Sequence, residues 1–165
     1  MSTKTMIISG VIFLVLSIGA SFLLTAGQKP EMAKATYLET DKDKPVIEIP
    51  ETTADLGEMK VSDVKQKDFF LKNTGTKPLQ ILNINSSCNC TFGQLIYDNK
   101  ESGKFGMHAQ SGYLGDIAPN TSATIRVIYQ PSLMPVYGAI EREVYVTTND
   151  PQKDRLVFAV KANVK

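Results

Sequence analysis

The pattern of apolar and polar positions divides the chain into an apolar N-terminal segment, a polar stretch and a region of short alternating strands. Residues 6–26 read MIISGVIFLVLSIGASFLLTA and contain no charged residue. A helix of that length would rise about 31 Å at ~1.5 Å per residue, which is enough to cross the hydrocarbon core of a membrane. We therefore predict one N-terminal transmembrane helix, assigned to residues 6–27.

The charges around this segment predict its orientation. Lys4 and the terminal amine precede it, so the positive-inside rule places residues 1–5 in the cytoplasm. A signal peptide is the alternative, because small residues end the segment. The apolar run exceeds the ~7–15 residues of a typical signal-peptide core, which favours an uncleaved anchor. We expect a single-pass protein of the cell inner membrane with its C-terminal domain on the periplasmic side.

The rest of the chain is predicted to be a linker followed by a β-domain. Residues 28–45 are polar, rich in Lys, Asp and Glu, and contain Pro30 and Pro45, which predicts a linker. From residue 46 to residue 165 short runs alternate in polarity between turn residues, and no amphipathic helix is evident. The predicted strands are 46–49, 53–59, 67–72, 79–84, 123–129, 141–148 and 155–163. About seven short strands indicate an all-β sandwich.

Three details of these strands are predicted more closely. The stretch 149–154 is dense in turn residues and joins the last two strands into a hairpin. Phe69 and Leu71 are expected to share one face of their strand. Ile81 and Ile84 have opposite parity, so the strand that carries both needs a local irregularity if both face the core.

Charge and cysteine content exclude several classes of function. The chain has 18 Lys and Arg against 17 Asp and Glu, which does not supply the basic patch that nucleic-acid binding requires. Its two cysteines are too few for a disulfide framework. The charged run Glu141, Arg142 and Glu143 is predicted to be solvated. No nucleophile–base pair is evident, so no catalytic residue is assigned and a non-enzymatic role is expected.

Cys88 and Cys90 are the residues with the most distinctive chemistry. In an extended strand both would point to the same side, with Cα atoms about 6.5–7 Å apart, at or beyond the usual limit for a disulfide. A disulfide would need the backbone to form a tight turn, and a strained one would suit a redox role. Inert thiols, a structural disulfide and a soft-metal site are the other interpretations.

A series of motifs resembles the bacterial DUF1573 family, which is related to the immunoglobulin-like ASH and major-sperm-protein modules. The motifs, in order, are DLGEM at 55–59, FFLKNTG at 69–75, PLQI at 78–81, SCNCT at 87–91, IAPNTS at 117–122 and VTTNDP at 146–151. The resemblance covers residues 46–165 and implies an immunoglobulin-like β-sandwich in an exported protein. About two dozen residues, 92–116, look like an inserted loop relative to this family.

The predicted insertion contains the only histidine, His108, beside Met107. Thiolate, thioether and imidazole are ligands suited to copper. This set gives the hypothesis of a Cu(I) site formed by Cys88 and Cys90 and completed by His108 or Met107.

The sequence as a whole favours a membrane-anchored interaction module. A tether, a spacer and a sandwich with open sheet edges are typical of a domain that binds another protein, here as an accessory subunit of a membrane complex. The expected partner is a membrane protein. The alternatives are an exported copper-binding protein and a thiol–disulfide redox partner.

Overall fold

The computed structural model describes residues 12–14, 17 and 34–165. The predicted transmembrane segment 6–27 lies almost wholly outside the described residues, as do the first residues of the predicted linker. In the described part of the chain, no helix is both long enough and apolar enough to cross a membrane. Residues 34–165 form one structural unit.

Ten strands and one short 3₁₀ helix make up this unit. The helix is Pro131–Leu133. The strands are β1 Ile47–Glu48, β2 Thr53–Met59, β3 Lys65–Asn73, β4 Leu79–Ser86, β5 Thr91–Tyr97, β6 Lys100–Glu101, β7 Gly115–Ile117, β8 Ser122–Tyr129, β9 Gly138–Thr148 and β10 Arg155–Val164. Seven of them match the predicted strands, and β5, β6 and β7 are additional.

The strands form two five-stranded sheets with the connectivity of an immunoglobulin-like sandwich. The first sheet has the order β1-β3-β8-β5-β6 and the second the order β2-β10-β9-β4-β7. Strands β1, β3, β8 and β5 occupy the positions A, B, E and D of an immunoglobulin domain, and β4, β9 and β10 occupy C, F and G. The chain crosses between the sheets after β1, so that β2 pairs in parallel with β10.

The core lies between the two sheets and follows the predicted alternation. Phe69 and Leu71 are buried, whereas Phe70 between them is 57% exposed on the outer face. The Phe69 ring meets the Phe158 ring of the opposite sheet with centroids 5.2 Å apart. The predicted hairpin is also confirmed, because β9 and β10 pair without a register shift around the turn 149–154. Apolar side chains that alternate along both sheets therefore hold the sandwich together.

The predicted irregularity in β4 is confirmed. The register of β4 against β9 shifts between Ile81 and Asn83, and both Ile81 and Ile84 are buried. The extra residue changes the parity of the strand, which lets both isoleucines reach the core.

The segment predicted as an inserted loop at about 92–116 is in part a strand. Phe92–Tyr97 continues β5, which pairs with β8 along its length. Alternation is hidden here because Gly93 and Gln94 lie beside the apolar Leu95 in the buried part of the strand. A Cβ atom on Gly93 would lie 2.5 Å from side-chain carbons of Ile84 and Val144, so the glycine is what allows the two sheets to approach.

The second half of the predicted linker is fixed to the domain. Residues 34–46, here called the strap, lie against one end of the sandwich. The Ala35 amide donates to Gln80 Oε1 at 2.8 Å, and the carbonyl of Lys44 accepts from the Thr76 amide at 3.0 Å. We call this the strap end, formed by the strap and the turns 74–78, 118–121 and 149–154. The opposite disulfide end is formed by the turns 60–64 and 87–90 and the loop 130–137.

Buried side chains satisfy the backbone at the strap end. Asn73 Nδ2 donates to the carbonyls of Lys77 and Ile117 at 2.8 and 3.0 Å. Asn149 Oδ1 accepts from the Gln80 amide at 2.8 Å. These asparagines are 0% and 3% exposed. Their side chains therefore supply hydrogen bonds to backbone groups of the turns that water cannot reach.

Asp150 joins the start of β1 to the hairpin turn. Its two carboxylate oxygens accept from the amides of Ile47 and Gln152 at 2.8 and 2.9 Å, and the side chain is 2% exposed. The carboxylate thereby connects residues 103 positions apart in the chain.

Replacing Asp150 by alanine is expected to destabilise the domain by about 2 kcal/mol, because the buried Ile47 amide would lose its acceptor. Urea unfolding of the full-length chain measures this loss. Asp154→Ala, an exposed carboxylate in the same turn, is the control and should change stability by less than about 0.5 kcal/mol. Equal effects of the two substitutions would contradict the role assigned to Asp150.

Candidate functional site at the disulfide end

A disulfide between Cys88 and Cys90 closes the turn that joins β4 to β5. The Cα atoms are 5.3 Å apart, closer than the extended spacing considered for the sequence. The turn is tight because the Thr91 amide donates to the Cys88 carbonyl at 3.3 Å and Ser86 Oγ donates to the Cys88 and Thr91 carbonyls at 2.9 and 2.6 Å. Ser86 and Thr91 thus supply the folded backbone that a bond between these two positions requires.

The two sulfur-bearing residues differ in exposure. Cys90 is 0% exposed and packs in a satellite core with residues that include Met59, Tyr129 and Val164, whereas Cys88 is partly exposed. Of the two residues, Cys88 is therefore the one that an external thiolate can approach, and exchange there would release a thiolate at Cys90. A charge in that apolar site is unfavourable, which slows such exchange.

The predicted copper ligands outside the turn lie in the loop after β6. Phe105 pairs with Gly93, and a Cβ on Gly106 would be 3.9 Å from the carbonyl oxygen of Thr91, so the loop passes beside the turn. Met107 and His108 themselves are exposed, and neither forms a hydrogen bond with a cysteine.

The structure gives limited support to a metal centre here. In the described part of the chain no group of three or more His, Cys, Asp and Glu side chains is placed to hold a metal ion. With the sulfurs of Cys88 and Cys90 joined to each other, neither is a thiolate ligand. The Cu(I) site of Cys88, Cys90 and His108 or Met107 stays a prediction that requires reduction of the disulfide.

An uncharged apolar loop lies beside the disulfide turn. The Gln130 amide donates to the Cys90 carbonyl at 2.8 Å, which fixes the start of the loop to the turn. Four large apolar side chains then face solvent within five residues: Leu133 at 50%, Met134 at 47%, Val136 at 42% and Tyr137 at 69% exposure. Apolar groups exposed together in this way are typical of an interaction surface.

The apolar loop 130–137 was not predicted from the sequence. The available signal was the absence of charge between Arg126 and Glu141, combined with prolines at 131 and 135. Those prolines prevent regular strand pairing, so apolar residues around them are not held in a sheet.

Arg142 corrects the prediction that residues 141–143 are all solvated. It lies on β9 with the same parity as Ile140 and Val144, which are both buried, and β9 has no register shift against β10. Arg142 therefore faces the inside of the sandwich. Its Nη1 donates to the Glu141 carbonyl at 2.9 Å, while its buried Nε has no hydrogen-bond partner among the described residues.

Tyr129 faces the same interior from the first sheet. It ends β8, is 0% exposed, and its buried hydroxyl also has no hydrogen-bond partner in the described part of the chain. Burial raises the pKa of the Tyr129 hydroxyl, and the positive charge of Arg142 opposes that shift. The hydroxyl therefore stays protonated at neutral pH and is available as a donor.

Comparison with known proteins supports the fold and leaves the activity open. Residues 47–107 match the family model described as "Protein of unknown function (DUF1573)". The match begins at β1 and ends at Met107, so it includes the disulfide turn, β5 and much of the segment first interpreted as an insertion. No curated protein matches the chain.

Several solved structures are similar to this chain. A protein of unknown function from Porphyromonas gingivalis is 21% identical with a TM-score of 0.54; the alignment covers 75% of this chain and 49% of that one, so the chain spans about half of that protein. The ASH/PapD-like domain 7 of human CEP192 is 12% identical with a TM-score of 0.49, covering 82% and 98%.

An enzyme is also among the similar structures. A family 123 glycoside hydrolase from Clostridium perfringens is 12% identical over 68% of this chain and 22% of its own, with a TM-score of 0.49. Similarity at these levels concerns the fold alone. The described domain is an immunoglobulin-like β-sandwich of unknown function, part of which matches the DUF1573 family model.

Proposed function

We propose that this chain is a non-enzymatic, membrane-anchored and exported module that binds another protein through its disulfide end, as an accessory subunit of a membrane complex. The observation that carries the proposal is the exposure of Leu133, Met134, Val136 and Tyr137 within one uncharged loop. Removing such a surface from water is favourable by about 25 cal/mol per Å² of apolar area, which gives a docking partner its main gain in free energy.

The disulfide end is held in one conformation by local bonds. The disulfide and the Gln130–Cys90 hydrogen bond hold the loop 130–137 to the sandwich, and a pre-ordered loop loses less conformational entropy on binding.

The copper and redox alternatives have weaker support. Copper binding needs two free thiolates, whereas the structure has one disulfide. A thiol–disulfide redox role needs rapid exchange, which the burial of Cys90 opposes. A structural role for the disulfide, holding the loop of the interaction surface, is consistent with both observations.

Replacing Leu133 and Met134 together by serine should abolish the complex without unfolding the domain, because both side chains are about half exposed. The measurement is chemical crosslinking in native membranes followed by size-exclusion chromatography of the gently solubilised full-length chain. Leu38→Ser is the matched control, since Leu38 is 66% exposed but lies in the strap. A wild-type chain that is only a free monomer, or a complex equally abundant in the double variant, would contradict the proposal.

The disulfide should resist dithiothreitol in the folded protein. We expect native-state reduction to be at least about tenfold slower than reduction in urea, because exchange at Cys88 releases a buried Cys90 thiolate. Alkylation of free thiols followed by intact-mass measurement gives both rates. Similar rates in the two conditions would favour the redox alternative over a structural disulfide.

A further inference from the structure

One stretch of sheet edge in the sandwich has no neighbouring strand. Strand β1 pairs with only the last two residues of β3, Lys72 and Asn73. In the same register the exposed Pro50 would come opposite Phe70. Proline has no amide to donate, so the pairing ends before it and the chain crosses to the second sheet. Residues 66–70 of β3, here called the open edge, therefore lack a partner strand on that side.

Three residues of β3 direct their backbone groups toward the open edge. The Asn73 amide donates to the Thr121 carbonyl at 3.0 Å, on the β8 side. Backbone groups alternate between the two sides along an antiparallel strand, so every second residue before Asn73 also bonds to β8. The residues between them, Gln66, Asp68 and Phe70, direct their amides and carbonyls away from β8. No described residue pairs with them there.

The long edge of the second sheet is protected by a lysine. The Lys65 ammonium donates to the carbonyls of Leu56 and Glu58 on β2 at 2.7 and 2.9 Å. Gly57 between them has a φ of 69°, and the register of β2 against β10 shifts at this point. A bulge and a lysine are two of the means by which natural sheets prevent other strands from adding to an edge.

The loop 102–114 covers the edges on the other side of the sandwich. Strands β6 and β7 have only two and three residues, so they leave most of β5 and β4 unpaired. Ser102 Oγ accepts from the Leu95 amide at 2.9 Å, and Phe105 forms a bridge with Gly93. Ser111 Oγ likewise accepts from an amide of β4 at 2.9 Å. Among the described strands, β3 alone leaves a run of this length uncovered.

Phe70 gives the open edge an apolar position. Its side chain is 57% exposed on the outer face of the first sheet. Beside it is a depression of about 270 Å³, lined by Glu48, Pro50, Phe70, Leu71, Lys72 and Ser122. Aromatic rings stabilise an apolar side chain placed opposite them on a neighbouring strand. An added strand would therefore gain most from an apolar residue at this position.

The charged side chains of the open edge already have partners. Lys67 forms an ion pair with Glu51. Both carboxylate oxygens of Asp68 accept from Arg126, at 2.7 and 2.9 Å. An incoming strand thus meets no unpaired charge at these two positions, which favours an uncharged segment.

A second copy of this chain fits the open edge less well than a different protein. Two copies of β3 that pair antiparallel through all three outward-facing residues would place Asp68 directly opposite Asp68. Like charges opposed across a strand pair are unfavourable.

We propose that an uncharged segment of the partner protein adds to β3 as an extended strand, with an apolar side chain against the Phe70 ring. The inference rests on the proposed interaction function and names the way in which the partner binds. The open edge starts at the disulfide end, because Lys65 pairs with Tyr129, the residue that precedes the loop 130–137. A partner bound to that loop therefore continues along β3, where main-chain bonds provide affinity and the side-chain depression provides specificity.

Amide exchange of the full-length chain, resolved by residue, tests whether the edge is open. In the detergent-solubilised monomer the amides of Gln66, Asp68 and Phe70 should exchange at least about tenfold faster than those of residues 67, 69 and 71, which bond to β8. In the gently solubilised complex the same three amides should slow by a similar factor. Protection of the three amides already in the monomer, or equal exchange in monomer and complex, would overturn the proposal.

A proline on the open edge tests the strand addition itself. Gln66→Pro removes an amide that does not bond to β8 and places a ring where the partner strand would pair. It should reduce the crosslinked complex in native membranes by about tenfold or more and lower the thermal midpoint by only a few degrees. If it instead unfolds the domain, the amide exchange decides.

The matched control is Thr53→Pro on the edge strand β2. The Thr52 carbonyl accepts from the Ala159 amide, so the exposed Thr53 directs its own amide away from β10. This substitution should leave the complex unchanged. Equal loss of the complex in both proline variants would contradict a role for β3.

The side-chain contact is tested at Phe70. Phe70→Thr keeps a residue suited to strands and should reduce the complex about threefold, because the apolar cross-strand contact is lost. Val157→Thr is the control, since Val157 is 37% exposed on β10 of the second sheet, and it should have no effect. A complex unchanged by Phe70→Thr would overturn the assignment of an apolar residue opposite this ring.

The remaining outcomes separate this inference from the proposed function. If the wild-type chain forms no complex, the proposed function fails and the inference with it. If the complex depends on Leu133 and Met134 but is unchanged by a folded Gln66→Pro variant, only the strand addition is wrong. A crosslinked species that contains two copies of this chain and nothing else would overturn the assignment to a partner protein.

Discussion

The requirement that buried hydrogen-bonding groups find partners governs both ends of this sandwich, and the two ends meet it differently. At the strap end Asn73, Asn149 and Asp150 are almost completely buried, and each bonds backbone groups that the turns would otherwise leave unpaired. At the disulfide end Tyr129 and Arg142 bury donors that have no acceptor among the described residues. Buried polar groups are thus satisfied at the strap end, whereas two at the disulfide end have no partner among the described residues.

The immunoglobulin-like topology places the two unsatisfied groups on strands of different sheets. Tyr129 ends β8 in the first sheet and Arg142 lies near the start of β9 in the second, so the loop 130–137 that joins these strands must span the sandwich at this end. Its prolines keep it out of either sheet, and its apolar side chains face solvent as a result. The disulfide turn lies beside the loop and bonds its first amide. Local chain geometry therefore places an exposed apolar loop next to the disulfide turn.

Much of the fold was predictable because alternation survives where side chains are apolar on one face and polar on the other. Seven strands, the hairpin of β9 and β10 and the irregularity between Ile81 and Ile84 follow from it. The alternation of apolar and polar residues did not predict β5. One of its inward-facing positions is Gly93, because a larger side chain there would clash with the opposite sheet. The strap was taken for part of a linker because its attachment depends on single hydrogen bonds to distant residues such as Gln80, which no local pattern records.

The candidate site was harder to predict than the fold. The cysteine pair was evident in the sequence, but the distance between its Cα atoms was not. Hydrogen bonds from Ser86 and Thr91 fold the backbone into a turn where an extended strand was considered. Arg142 was predicted to be solvated together with its charged neighbours at 141 and 143. Its parity with the buried Ile140 and Val144 already indicated an inward position. Parity alone could not show that Tyr129 faces it across the core. That relation comes from the pairing of β8 and β9 with different sheets.

Hydrogen–deuterium exchange tests most directly whether the disulfide end is the docking surface. The full-length chain would be compared in its native membrane and as a detergent-solubilised monomer. Amides of residues 130–143 and 87–92 should exchange more slowly in the membrane, where a partner covers them, while the turn 149–154 at the strap end should exchange equally in both. Unchanged exchange at residues 130–143, or protection confined to the strap end, would contradict the account.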